Sequence, residues 1–152
     1  APISALESCF GQLGRRLHEL SLGIDQRPVV TQRPALQVSA EDTLESDLRL
    51  EETEPHIRKL ADKAWHCYRS QPSRVARTVV LKLKTAQFRT LTRSLTLRTP
   101  PSSAGEVANV ACRLLERVNL PSATLYRLVG VGLSGLVDAD EFAAQGDLFM
   151  GP

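Results

Sequence analysis

The stretch Arg74–Arg98, RVARTVVLKLKTAQFRTLTRSLTLR, decides how the chain is to be read. Its β-branched and Leu-rich content predicts two strands, Arg77–Thr85 and Phe88–Leu97, joined by a tight connection at Ala86-Gln87. Alternation places Val79, Leu81 and Leu83 on one face of the first strand, with Thr78, Lys82 and Lys84 on the other. On the second, Thr90, Thr92, Ser94 and Thr96 share a face, and Arg89 and Arg93 take the opposite one. Arg74, Arg77, Lys82, Lys84, Arg89, Arg93 and Arg98 fall here without a single Asp or Glu, although the formal net charge of all 152 residues is only +2. Positive charge concentrated on one hairpin suits a polyanion. It also suits a solvated hairpin whose cations discourage edge-to-edge pairing.

Outward from the hairpin, helical and extended patterns alternate. Before it, Glu54–Arg69 carries Ile57, Leu60, Ala61, Ala64, Trp65 and Tyr68 at helical period, with Pro55 in its first turn and acidic residues at the positive end of its dipole. Earlier still, Pro34–Ala40 predicts a short strand with Leu36 and Val38 on one side. After the hairpin, Ser103-Ala-Gly-Glu106 has the form of a capping box and opens a helix striped by Val107, Val110, Ala111, Leu114, Leu115 and Val118. Thr124–Ser134 predicts a last strand in which Gly130 and Gly132 leave one face bare. The expected class is therefore α+β: a two-layer β-α-β-β-α-β sandwich, a four-stranded sheet with two helices on one face. Its other face, with cations, hydroxyls and glycines, is left open.

The flanks differ. Leu6, Phe10, Leu13, Leu17 and Leu20 predict one amphipathic helix over Ile3–Leu22, ended by Gly23. Gly11 and Gly14 inside it imply close approach of another backbone. Gln26–Arg33 is a Pro-bounded linker, and the residues from 137 onward form a flexible tail in which Leu148-Phe149 is a compact apolar pair. The divisions expected are thus 1–24, 25–33, 34–136 and 137–152.

Catalytic chemistry finds no foothold. His18, His56 and His66 lack ligand partners at metal-binding spacing, so no metal site is expected. A phosphate loop, a dinucleotide fingerprint and a Ser-His-Asp order are all missing, so no catalytic residue is expected either. Three widely spaced cysteines, Cys9, Cys67 and Cys112, fit reduced thiols rather than a disulfide frame. No apolar run reaches membrane-spanning length, and Ala1–Gly11 does not have the form of a secretory signal, which together give a cytoplasmic expectation. Thr90, Thr92 and Ser94 beside Arg89 and Arg93 are donors of the kind that track a phosphate backbone. Phe88 is the one candidate for base stacking.

Several segments together resemble the little finger, or polymerase-associated, domain of the Y-family DNA polymerases, and the DinB branch, that of DNA polymerase IV, above the others. ARTVVLKLKTAQFRTLTRSLTL (Ala76–Leu97) is similar to the family's central hairpin, SAEDTLESDL (Ser39–Leu48) to its first strand and exit, and RLVGVGLSGL (Arg127–Leu136) to its final strand. LGIDQRPV (Leu22–Val29) resembles the connection from the thumb, and Leu6–Leu22 the thumb's last helix. Gln145-Gly-Asp-Leu-Phe149 resembles the bacterial sliding-clamp-binding pentapeptide in its usual position.

That resemblance implies an accessory part of a lesion-bypass polymerase, without a cofactor of its own. Lys82, Lys84, Arg89, Thr92, Arg93, Ser94 and Ser39 would face a primer–template duplex, and Gln145, Asp147, Leu148 and Phe149 would dock on the sliding clamp. The family often has a basic residue where Leu95 stands, so one phosphate contact would be missing. The palm, whose carboxylates hold the two magnesium ions of the parent nucleotidyltransferase, would lie before Ala1. A catalytically inactive relative would look the same over these residues. The N-terminal helix, if exposed, offers a dimer surface. The competing readings are a stand-alone RNA-binding module of the same topology, against which the lack of sheet aromatics counts, and a protein-interaction module docking through its tail.

Overall fold

A computed structural model describes residues 2–30 and 34–142. The chain separates into two compact units, Ala1–Pro34 and Ala35–Pro152.

In the first unit the expected single helix is two. Helix α1 spans Ile3–Phe10 and α2 spans Gln12–Ser21. Gly11 between them has φ 58° and ψ −138°, a backbone state that side-chain-bearing residues rarely adopt. Periodicity carried the reading across this glycine because the apolar residues continue on both sides. The expectation of close approach holds at Gly14, where a Cβ would lie 2.2 Å from the Leu6 carbonyl oxygen, so α2 can pack on α1 only at a glycine; it fails at Gly11, which has nothing within 4 Å and serves the turn instead. Phe10, Leu13, Leu17 and Leu20 remain exposed. After α2, Asp25 accepts from both Arg16 and Arg27, the latter at 2.7 Å through Nη2. The Arg27 side chain and backbone N–H, then Arg16, hold the Asp25 carboxyl far below the ordinary carboxylate range.

The second unit has the expected two-layer α+β form. Strand β1 (Gln37–Leu48) leads through a 3₁₀ turn (Leu50–Thr53) into α3 (Glu54–Arg69), which occupies the span its sequence pattern predicts. The short β2 (Arg74–Val75) precedes β3 (Thr78–Thr85) and β4 (Thr90–Thr96). Helix α4 (Ala104–Arg113) and a second 3₁₀ turn (Leu114–Arg117) lead to β5 (Tyr126–Ser134) and the short β6 (Val137–Asp138). The main sheet runs β1-β5-β3-β4, antiparallel throughout. Helices α3 and α4 pack against each other on one face, α3 over β1 and β5 and α4 over β3. Between the layers lie Val79, Leu81 and Leu83 of β3, Val129, Val131 and Leu133 of β5, and Ile57, Leu60, Val107 and Val110 of the helices, all essentially buried.

The chain departs from expectation at several points, and four have a plain local cause. Strand β1 runs on through the acidic Glu41–Asp47 segment, because Val38, Ala40 and Leu44 still point into the core while Glu41, Glu45 and Asp47 stay exposed on an edge strand. Phe88 does not begin β4; it sits at φ 64° in the turn, where its N–H donates to the Thr85 carbonyl at 2.9 Å. The capping box is offset by one residue: Ser103 Oγ accepts the Glu106 N–H at 3.2 Å, but Glu106 reaches back to the Ser102 N–H at 2.8 Å. Finally, Val137 and Asp138 pair with Val75 and Arg74, so the ordered domain continues beyond residue 136.

Arg74 fixes that last corner. It donates to Asp138 at 3.0 Å, to the Leu136 carbonyl at 2.6 Å and to the Ala35 carbonyl at 3.2 Å, with its side chain only 12% exposed. The first cation of the basic stretch is thus a structural tie rather than part of a charged surface.

Candidate nucleic-acid interface

The helix-free face of the main sheet is built from cross-strand rows fixed by register. One row is Gln37–Ser134–Thr78–Thr96 and the next Ser39–Gly132–Val80–Ser94. Then come Glu41–Gly130–Lys82–Thr92 and Thr43–Leu128–Lys84–Thr90. Hydroxyls dominate, and Thr78 and Thr96 share a hydrogen bond at 2.9 Å. The central strand contributes glycine in the two middle rows, which opens a groove of about 230 Å³ lined by Ser39, Glu41, Val80, Lys82, Thr92 and the glycines. A Cβ at Gly132 would lie 2.9 Å from both Ser39 Cβ and the Val38 carbonyl oxygen. The strands approach so closely here that only glycine leaves the backbone uncovered.

Register therefore brings Ser39, Lys82, Lys84, Thr92 and Ser94 onto one face, joining residues more than fifty positions apart in sequence. Arg93 is not among them. It points to the opposite side of edge strand β4, where its guanidinium donates to the Arg117 carbonyl at 2.8 Å and to the Thr92 carbonyl at 2.9 Å. Arg89 is exposed on the β3–β4 turn, at the end of the face. The clamp-docking expectations, Gln145, Asp147, Leu148 and Phe149, lie outside the described residues.

Two features escaped sequence reasoning. Glu41 stands in the face and pairs with Lys82 across the bare Gly130, Nζ to Oε2 2.7 Å. The alternation of β1 would have revealed it had the strand been carried past Ala40. Arg127, next to a register shift between β3 and β5, stacks its guanidinium 4.1 Å from the centre of the exposed Phe88 ring, and Lys84 Nζ approaches the same ring at 5.3 Å. Nothing in linear spacing pairs residues 88 and 127; the bulge and the left-handed turn residue do so.

The histidines remain scattered, and among the described residues no group of three or more His, Cys, Asp or Glu side chains converges on a point. No helix there is long and apolar enough to cross a membrane.

Residues 35–148 match the impB/mucB/samB family C-terminal domain. Among curated proteins, a DNA polymerase IV of Xanthomonas euvesicatoria pv. vesicatoria is 49% identical over 148 residues, 97% of this chain and 41% of that protein. A DNA polymerase IV of Stenotrophomonas maltophilia (strain R551-3) is 49% identical over 144 residues, 95% of this chain and 40% of that one. The chain thus spans about two fifths of the length of such relatives. Among solved structures, a Y-family DNA polymerase chimera, Dbh-Dpo4(243-245)-Dbh, superposes with a TM-score of 0.68 at 16% identity, over 90% of this chain and 39% of that one. An insertion ternary complex of Dbh DNA polymerase gives 0.59, also at 16% identity, over 91% and 39%. Those two likenesses establish the fold. With the match over residues 35–148, the chain belongs to the impB/mucB/samB family and carries its C-terminal domain, of the kind found at the C-terminal part of the Y-family polymerases.

Proposed function

We propose that the second unit is the little finger of a lesion-bypass DNA polymerase and that its helix-free sheet face lies along the backbone of a primer–template duplex. The observation that carries this reading is the set of cross-strand rows: hydroxyls and lysines flank two glycines, so side-chain donors converge on one uncovered strip. Such a strip contacts phosphates without reading base edges, which predicts weak sequence preference and a steep salt dependence. Lys84, Arg89, Thr92 and Ser94 make the phosphate contacts with Ser39 at the far edge, and Lys82, paired with Glu41, lies between them. Arg93, tied to the Arg117 carbonyl, contributes at the edge or only after release.

The reaction of the parent is template-directed DNA synthesis past lesions, and its magnesium ions belong to the palm. Gln145, Asp147, Leu148 and Phe149 dock on the bacterial sliding clamp, which raises local concentration in place of a strong intrinsic grip. The exposed Leu13, Leu17 and Leu20 surface of the first unit supports self-association of the chain in solution, and the cytoplasm is the compartment that fits these partners.

The test is titration of the 152-residue chain into fluorescent duplex, single-stranded DNA and RNA over a salt series. Duplex DNA is expected to bind in the micromolar range typical of backbone contacts, on the order of 10⁻⁴–10⁻⁶ M, and Lys84→Gln/Arg89→Gln to bind more weakly with a shallower salt slope. Preference for single-stranded RNA would overturn the reading in favour of an RNA-binding module. For the clamp, Leu148→Ala/Phe149→Ala should abolish binding that the parent chain shows.

A further inference from the structure

Lys82 and Lys84 are two residues apart on the same face of β3, yet their surroundings differ. Lys84 has Thr43, Leu128 and Thr90 in its row and the Phe88 ring 5.3 Å from its ammonium, with no carboxylate in the row. Lys82 has Glu41 in its row, and its ammonium is 2.7 Å from that carboxylate. The pairing depends on Gly130. That glycine separates the two residues by one strand, and any side chain there would stand between them; a Cβ would already lie 3.1 Å from Glu41 Cβ and 3.5 Å from Lys82 Cβ. Across the four rows Glu41 is the sole acidic side chain. It sits on the rim of the groove, where a phosphate following the strip would come closest to bare backbone.

We infer that Glu41 is an internal counterion that withholds Lys82 from a nucleic-acid phosphate, so that the face binds duplex more weakly than its cations alone would allow. This rests on the proposed DNA-binding reading and adds a residue that opposes it. An oxygen of Glu41 and an oxygen of a phosphate compete for the same ammonium. The pair is on a wet surface, its side chains 41% and 48% exposed, so it can open, but opening leaves the carboxylate facing the polyanion. With Glu41 in place Lys82 neutralises no phosphate, and the counterions that phosphate would have shed stay bound.

The test is the duplex affinity of the full 152-residue chain from low to moderate salt for wild type, Glu41→Gln, Lys82→Gln and the double variant. Glu41→Gln should tighten binding about three- to tenfold, which is what Coulomb's law gives for a unit charge roughly 6 Å from a phosphate at effective dielectric constants of about 80 to 40. Its log–log salt slope should also steepen by about 0.9, the value for one additional neutralised phosphate. In the Lys82→Gln background the same substitution should leave the slope unchanged, since no lysine is released. Glu41→Thr, which keeps a strand-forming residue on β1, should reproduce the gain and guards against an effect of misfolding. Unchanged or weaker binding by both Glu41 variants, or steepening that persists without Lys82, would overturn the inference while leaving the DNA-binding reading intact. Absence of duplex binding by wild type and every variant would overturn both.

Discussion

Replacement of Gly132 by alanine tests whether the bare strip is a packing requirement. The added Cβ meets Ser39 Cβ and the Val38 carbonyl oxygen, each at 2.9 Å. Relief requires β1 to shift, because one of these atoms is backbone within the β1–β5 ladder. Overpacking of this kind costs about 1–3 kcal/mol. The reduced freedom of the unfolded chain returns about 0.4–1 kcal/mol. The net destabilisation is therefore centred on about 1.3 kcal/mol and reaches at most about 2.6, a fall of several degrees in Tm for a domain of this size, at roughly 2–8 °C per kcal/mol. Gly130 provides an internal control. Its nearest contact would be Glu41 Cβ at 3.1 Å, with the closest backbone atom at 3.6 Å, so Gly130→Ala should be markedly milder. Urea unfolding followed by far-UV circular dichroism measures both. A Gly132→Ala chain as stable as wild type, or less harmed than Gly130→Ala, would refute the close-approach account of these glycines.

Arg74→Ala leaves the Leu136 and Ala35 carbonyls without their donor and should cost about 2–3 kcal/mol, with faster amide exchange at Val75 and Ala139; protection equal to wild type would show the tie to be dispensable. Cys9 and Cys67 are exposed, whereas burial pushes the Cys112 thiol up from its ordinary value, so iodoacetamide at pH 8 should modify the first two well before Cys112, as mass spectrometry of timed samples will read. The Asp25 carboxyl is lowered in the folded chain, so the stability it lends is complete above the ordinary carboxylate value of 3.8 and disappears only as pH falls well below it. Its ¹³C carboxyl shift should therefore titrate below that value, and a midpoint at or above 3.8 would remove the Arg16–Asp25–Arg27 cluster from solution.

How far sequence sufficed depends on whether a signal is local. Helix α3 was legible to the residue because Ile57, Leu60, Ala61 and Ala64 repeat at 3.6 and Pro55 marks the first turn. The inward and outward faces of β3 were legible because period 2 is strict there. The acidic half of β1 was not, since Glu41, Asp42 and Glu45 disfavour strands on average, and only pairing with β5 compensates. Gly11 and Phe88 depend on φ, which periodicity does not report. The candidate face was half legible: Lys82, Lys84, Thr92 and Ser94 follow from alternation in one hairpin. Glu41, Arg127 and the structural duty of Arg74 follow from register between strands far apart in the chain.

The Arg74 tie also has a mechanical meaning. Leu36 and Leu136 are joined by a 3.2 Å backbone hydrogen bond, and Arg74 holds the carbonyls of Ala35 and Leu136 together. The segment that leads into β1 and the one that follows β5 are thus held together at a single corner. Tension applied between Ala35 and Asp138 would therefore load that corner, a guanidinium and a two-residue ladder, before it loaded the β1-β5-β3-β4 sheet.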